Sequence, residues 1–298
     1  MKRFLICFLL ILLSLPATAK QFYVSDSGLY LKDYKTDELK KMFADAAYDD
    51  YIDLPDNEYP RIFVQNLPSD FALQEDRTLR NRFFMQILMP LILKANDEVL
   101  KEREIVDALS YGFEQNKDFD EASVFYLEEL AKKYDVTTPF KDTRRYITLL
   151  DELKVKVDTV PPSLLMAAAA IRTDWGTSRI AIKANNLYKQ RIWYQNEGLE
   201  PLEDKDGGYR YKIYSNLEES VKDYILKLNS DINFDTFRVA RAVSRKRGSD
   251  LYGKRMAFSF VLASNLKNYA GLLDYTLTYY KMYYFDEAKL EKTYTFED

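Results

Sequence analysis

Along this chain apolar residues recur at spacings of three and four far more often than they alternate, and most of the predicted elements follow from that rhythm. Between Asp76 and Tyr111, Leu79, Phe83, Phe84, Ile87, Leu88, Leu91 and Leu93 form a stripe that reads as helix-packing core. Pro90 lies inside it and predicts a kink or a split into two helices, because proline supplies no amide hydrogen and crowds the preceding turn. Shorter helices are predicted from Thr36 and near 119–133, 142–152, 162–173, 217–229, 235–246, 250–264 and 271–285. Alternation over Gln21–Lys35 suggests an extended arm, and Arg61–Pro68 a short strand closed by proline. Arg191–Tyr194 and Tyr209–Tyr214 alternate around turn residues at Gly198 and Asp206–Gly208, which predicts a hairpin. The fold class is therefore mainly α, with one small β-hairpin and a helical N-terminal extension.

Composition narrows this. The chain has 298 residues, enough for one large domain or two modest ones, and only 9 glycines and 9 prolines, which argues for a helical globular chain. There is no histidine, so a serine triad, a Cys–His dyad and a His-ligated zinc or iron site are excluded, and no cofactor is expected. The single cysteine is Cys7. It sits in the apolar run Phe4–Leu15, preceded by Lys2 and Arg3 and followed by Pro16 and Ala17-Thr18-Ala19, the layout of a signal peptide cleaved after Ala19. The run is too short to span a bilayer stably, so export to the periplasm or cell envelope, with no membrane span in the mature chain, is the expectation. The formal charge of −4 argues against a generic nucleic-acid binder. The predicted organisation is a leader over 1–19, an extension over 20–113, a polar linker over 114–120, the main domain over 121–288 and a tail over 289–298.

The densest chemistry lies in Val160-Pro-Pro-Ser-Leu-Leu-Met-Ala-Ala-Ala-Ala-Ile-Arg-Thr-Asp-Trp-Gly-Thr-Ser-Arg179, followed by Asn185-Asn186-Leu187-Tyr188. Paired prolines open a helix well, its alanines allow close packing, and Trp175-Gly176 should end it. Thr177, Ser178, Asn185 and Asn186 are turn-builders able to hydrogen-bond a polar ligand. Trp193, Tyr209 and Tyr211 on the hairpin offer a stacking surface for sugar faces, or are simply packed.

These blocks resemble the exported bacterial N-acetylglucosaminidase family of peptidoglycan hydrolases, in its Bax-like branch. Similarity continues at Asn66-Leu67-Pro68, Leu91, Asn96 and Glu102-Arg103 in the extension, and at Ser220-Val221, Leu228-Asn229, Phe237-Arg238 and Arg241, so that it covers roughly residues 60 to 285. The resemblance implies a lysozyme-like helical domain whose cleft, walled by a β-hairpin, holds a glycan strand. Peptidoglycan or a muropeptide is then the implied ligand, contacted by Trp175, Asn186, Gln190, Trp193, Tyr209 and Tyr211, and the extension could bind another envelope protein.

The departures from the family pattern matter as much. The family's general acid, a glutamate three residues before the tryptophan, is replaced by Arg172. A second family carboxylate aligns with Arg210, the Gly-Gln-Trp after the asparagine pair reads Lys189-Gln190-Arg191, and a late tyrosine falls on Asn265. Glycoside cleavage needs a carboxyl that gives up a proton to the leaving oxygen, and arginine cannot do this near neutrality. Asp174 is the substitute to consider, or Glu197 or Glu203 on the hairpin, although two residues along a helix is a rotation of about 200°, which turns Asp174 away from Arg172. Recognition of wall glycan with lost or impaired hydrolysis is the leading expectation, an enzyme with a relocated acid the second and a scaffold with a vestigial cleft the third. If Arg172, Arg191 and Arg210 share the cleft they form an anion pocket; alternatively each pairs with a local acid such as Asp174, Glu197 or Asp206. Arg238, Arg241 and Arg245, with Lys246 and Arg247 behind them, read as a solvated helix face or as a surface for anionic lipid or wall polymer.

Overall fold

The computed structural model describes residues 19–50, 52, 54–193, 197–202, 204, 207–261 and 268–293. The leader up to Thr18, Glu203, Asp206 and Asn265 lie outside the described residues. The architecture is mainly α, as the periodicity predicts. The first elements are β1 (Gln21–Ser25), β2 (Gly28–Lys32), α1 (Thr36–Asp45), β3 (Glu58–Tyr59) and β4 (Ile62–Val64). The extended arm is thus a hairpin, β1 antiparallel to β2, and β4 joins β2 in parallel with Leu29 opposite Ile62.

Helix α2 (Arg77–Asn116) follows and is one element of 40 residues with Pro90 inside it, so of the kink or split expected there the split does not occur. Proline at 90 would leave the carbonyl of Gln86 without its helical partner; Tyr48 supplies one through its hydroxyl, 3.1 Å away, and Gln86 returns a side-chain bond to the Tyr48 carbonyl at 2.8 Å. The helix also takes in the first three residues of the predicted linker, 114–116. Lys117 closes it in a left-handed conformation, and Asp120 caps α3 (Glu121–Lys133) by accepting from the Ser123 amide.

The remaining elements are α4 (Arg144–Lys156), α5 (Pro162–Thr173), α6 (Arg179–Ala184), β5 (Arg191–Ile192), β6 (Arg210–Tyr211), α7 (Leu217–Ser230), α8 (Asp235–Lys246), α9 (Gly253–Val261), α10 (Tyr269–Tyr279) and β7 (Lys289–Leu290). Helix α5 is the hub: every residue from Pro162 to Ala170 is buried, and α2, α9 and α10 pack around it, close approach being possible because its middle is alanine. The extension does not stand apart. One hydrophobic cluster runs from Leu29 to Leu290, and β7 returns to pair in parallel with β3.

The similarity positions in the extension stitch these parts together. Asn96 on α2 exchanges two hydrogen bonds with the main chain of Val160, just before α5, and Arg103 donates to the carbonyls of Lys154 and Val157 at the end of α4. The arginines of α8 are not a solvated stripe, nor a surface for lipid or wall polymer: Arg238 and Arg241 are fully buried. Arg241 donates to the carbonyls of Val155, Lys156, Asp158 and Thr159 and to the side chain of Asn229, so it caps α4, whose last carbonyls have no helical donors. Asp158, itself buried, answers the charge, with Arg245 at 2.8 Å and Arg103 at 3.4 Å. The far end of the predicted stripe, Arg245, Lys246 and Arg247, is exposed.

Candidate functional site

The end of α5 is built by its own sequence. Asp174, Trp175 and Gly176 take three successive left-handed conformations, with φ of 48°, 56° and 79°. Thr173 holds the turn, its hydroxyl donating to the Ala169 carbonyl at 2.6 Å and accepting from the Gly176 amide at 2.9 Å. A Cβ on Gly176 would lie 2.7 Å from the Phe84 ring, so glycine is required twice over, by φ and by space. Ser178 then caps α6 by accepting from the Ala181 amide. The Trp-Gly-Thr-Ser block is therefore a tight joint between two helices. Trp175, expected to face a glycan, is packed into the core instead, edge-on to Phe84 and 4.3 Å from the Tyr280 ring.

The asparagine pair is likewise structural. Asn185 is the left-handed cap of α6, and Asn186 is fully buried. The Asn186 amide donates to the carbonyls of Gln190 and Lys212 and its oxygen accepts from the amides of Tyr188 and Gln190, which fastens the loop after α6 to the strand leading out of the hairpin. No hydrogen-bonding capacity of Asn186 is left for a ligand.

Arg172, in the last turn of α5, meets tyrosines. Its guanidinium lies 5.5 Å from the ring centre of Tyr269, and beside it Tyr224 and Tyr188 are stacked face to face, 4.0 Å between centroids. These three rings come from α10, α7 and the loop after α6. All three are buried, whereas Arg172 keeps partial exposure. Burial works against the arginine's charge, but the oxygens of Tyr224 and Tyr269 more than offset it, and the group stays above its ordinary range. Burial pushes all three tyrosines up, so they remain neutral phenols. Among the described residues no carboxylate forms an ion pair with Arg172. The Nε of Arg172 and the hydroxyls of Tyr188, Tyr224 and Tyr269 are also buried without a well-aimed hydrogen-bond acceptor or donor.

The predicted hairpin is present as β5 and β6, but its register disperses the arginines. Arg191 pairs with Tyr211 and Ile192 with Arg210, so Arg191 and Arg210 sit on opposite faces of the ribbon. Arg191 covers the Tyr209 ring at 3.9 Å, while Arg210 turns away and its Nε donates to the Gly198 carbonyl at 3.0 Å. The expected three-arginine pocket is thus not assembled; nor does any of the three form an ion pair with an acid among the described residues. Tyr209 and Tyr211 are buried in a small cluster with Ile180, whereas Trp193, edge-on to Tyr209, is 67% exposed.

Asp174 lies outside this constellation. Its side chain is exposed, and its ionic partner is Arg77 at the start of α2, 3.9 Å away. Glu197 is also exposed. The carboxylate that the sequence reading missed is Asp223 on α7, which accepts from Gln190 Nε2 and from the Tyr214 hydroxyl, both at 2.5 Å, and pairs with Lys212 at 3.1 Å. It joins two hollows, one of about 370 Å³ between α2, α3 and α7 and one of about 330 Å³ beside Arg191 and Ile192. Nothing local marks Asp223 in the sequence, because its three partners come from the loop and strand on the far side of the hairpin. Among the described residues no group of three metal-ligating side chains is present, and no helix is long and apolar enough to cross a membrane.

A family model described as mannosyl-glycoprotein endo-β-N-acetylglucosaminidase matches residues 149–291. Residues 149–291 form a glucosaminidase-family domain. The domain thus begins within α4, takes in α5 and the tyrosine cluster, and ends after β7. The chain is also similar to protein bax of Escherichia coli (strain K12), at 29% identity over 181 residues, which are 60% of this chain and 61% of that protein. Among solved structures it is matched by the catalytic domain of the autolysin Auto of Listeria monocytogenes, at 16% identity with a TM-score of 0.31, covering 58% of this chain and 96% of that one.

Proposed function

We propose that this protein recognises peptidoglycan glycan with a glucosaminidase-family domain that does not cleave it by the family's route. The observation that carries this reading is the position of Arg172 at the end of α5, among three buried tyrosines and, among the described residues, with no carboxylate paired to it. Hydrolysis requires a proton donor at the glycosidic oxygen and a second group to handle water or the positive charge that develops on the sugar. An arginine donates no proton at neutral pH, and a fixed cation beside the developing charge opposes it. Loss of general acid catalysis alone costs about 10² to 10⁴ in rate.

The enzyme reading with Asp174 as acid has less support, since this carboxylate is exposed and faces Arg77, away from the cluster around Arg172. The recognition reading draws further support from Trp193, an exposed ring on the ribbon that could stack on a sugar face. Export to the envelope belongs to the same proposal.

The test pairs two measurements on the purified mature protein. Pull-down with insoluble wall sacculi should retain it, and reducing-end release from the same sacculi should not exceed that of a boiled control. Release that is abolished by Asp174→Asn would replace recognition with the relocated-acid enzyme. Absence of retention together with absence of release would leave only the scaffold.

A further inference from the structure

The buried cluster around Arg172 is chemically incomplete. It holds one positive charge that faces the oxygens of Tyr224 and Tyr269 and no paired acid among the described residues, and four polar atoms, Arg172 Nε and the hydroxyls of Tyr188, Tyr224 and Tyr269, have no well-aligned partner. Such groups are costly to leave unpaired in an interior, and a site that keeps them preorganised gains most from a ligand that completes them. The three phenols are neutral and able to donate. Arg172 as a residue keeps partial exposure, and the flat fork of its guanidinium suits a two-oxygen anion.

We infer that Arg172, with the hydroxyls of Tyr224 and Tyr269, forms an acceptor site for a single carboxylate carried by wall material. One cation surrounded by neutral donors balances a monoanion, which favours a carboxylate over a phosphate dianion. The ribbon arginines do not belong to this site, since Arg191 is committed to the Tyr209 ring and Arg210 to the Gly198 carbonyl. In wall glycan that carboxylate has two sources, the lactyl group of an N-acetylmuramic acid that carries no peptide, or the end of a stem peptide. The inference rests on the recognition reading above and specifies its ligand chemistry.

The experiment titrates the mature protein calorimetrically with N-acetylmuramic acid, N-acetylglucosamine, D-alanyl-D-alanine and chitotetraose. The two monosaccharides differ only in the lactyl group, and the dipeptide carries a carboxylate without a sugar. Either carboxylate probe should bind at least about tenfold more tightly than N-acetylglucosamine, and whichever does so names the source. Arg172→Met should remove that preference, Tyr269→Phe should weaken it by about three- to tenfold, and Arg172→Lys should not restore it, because a point charge lacks the fork. Thermal melts establish that each variant is folded. N-acetylglucosamine binding as tightly as both carboxylate probes, or a preference unchanged in both Arg172→Met and Tyr269→Phe, overturns the carboxylate site. If chitotetraose or sacculi still bind in that case, glycan recognition stands without it; if they do not, both fall.

Discussion

The hydroxyl of Tyr48 donates to the main-chain carbonyl of Gln86, four residues before Pro90, and so takes the place of the amide hydrogen that proline lacks. The pair is buried and reciprocal, which lets a 40-residue helix carry a proline in its middle. Tyr48→Phe is expected to cost about 1–3 kcal/mol, the penalty of a buried carbonyl left unsatisfied. In a Pro90→Ala background the restored amide should bond to Gln86, and the same substitution should then cost less than half as much. Urea unfolding of the four proteins of this cycle measures the coupling; a cost independent of residue 90 would break the link.

Arg241 carries the junction between α4, α5 and α8 through five hydrogen bonds and the charge of Asp158. Arg241→Met should destabilise by about 3–5 kcal/mol, because it strips donors from buried carbonyls and removes one of the cations around a buried carboxylate. Arg241→Lys should recover little, since one ammonium cannot reach five acceptors. A loss of under about 1 kcal/mol in chemical denaturation would mean that water replaces the arginine.

Gly176 tests the structural meaning of the Trp-Gly-Thr-Ser block. Adding a methyl at φ 79° against the Phe84 ring should cost about 2–4 kcal/mol in Gly176→Ala. Trp175→Phe should likewise lower the melting temperature, as expected of a core ring, while leaving sacculus binding of the folded protein intact. Binding that collapses at unchanged stability would return Trp175 to the glycan surface.

Asp286 ties the start of α5 to the start of α9, accepting from the Ser163 amide and hydroxyl and from the Gly253 amide. Burial outweighs these donors and holds its carboxyl up at about 6, against an ordinary 3.8. The folded state therefore binds this proton more tightly than the unfolded chain. The resulting stabilisation is fully present below pH 3.8 and is lost as pH rises toward 6, amounting to about 1–3 kcal/mol. Asp286→Asn should flatten the decline of melting temperature between pH 4 and 6.5. A parent protein whose stability rises over that range, by the same amount in the variant, would contradict the shift.

Most of the helical architecture was legible from local periodicity. The predicted helices at 162–173, 217–229 and 235–246 recur almost unchanged as α5, α7 and α8, and the hairpin at 191 and 210 is where alternation and glycines placed it. Helix α6 escaped notice because six residues carry too little periodicity to register. The alternative of a split at Pro90 and the solvated reading of Arg238 and Arg241 on α8 were misread for one reason. Each depends on a distant main-chain partner, the Gln86 carbonyl reached by Tyr48 and the carbonyls around 155–159 reached by Arg241, and periodicity is blind to such partners. Five of the six predicted glycan contacts, Trp175, Asn186, Gln190, Tyr209 and Tyr211, turn out to be buried side chains, which leaves Trp193 exposed.

What the sequence by itself determined was residue identity in a local frame: a helix that begins at paired prolines, ends just before the Trp175-Gly176 turn, and bears Arg172 where the resemblance implies a glutamate. Tertiary structure decided the company which that arginine keeps. Tyr188, Tyr224 and Tyr269 are brought to Arg172 from three other segments, and Arg191 and Arg210 are parted by the pleat of a two-residue ribbon. Local pattern reports which face of an element is apolar, but the meeting of polar groups depends on how those faces close on one another, and that is settled only when the core packs.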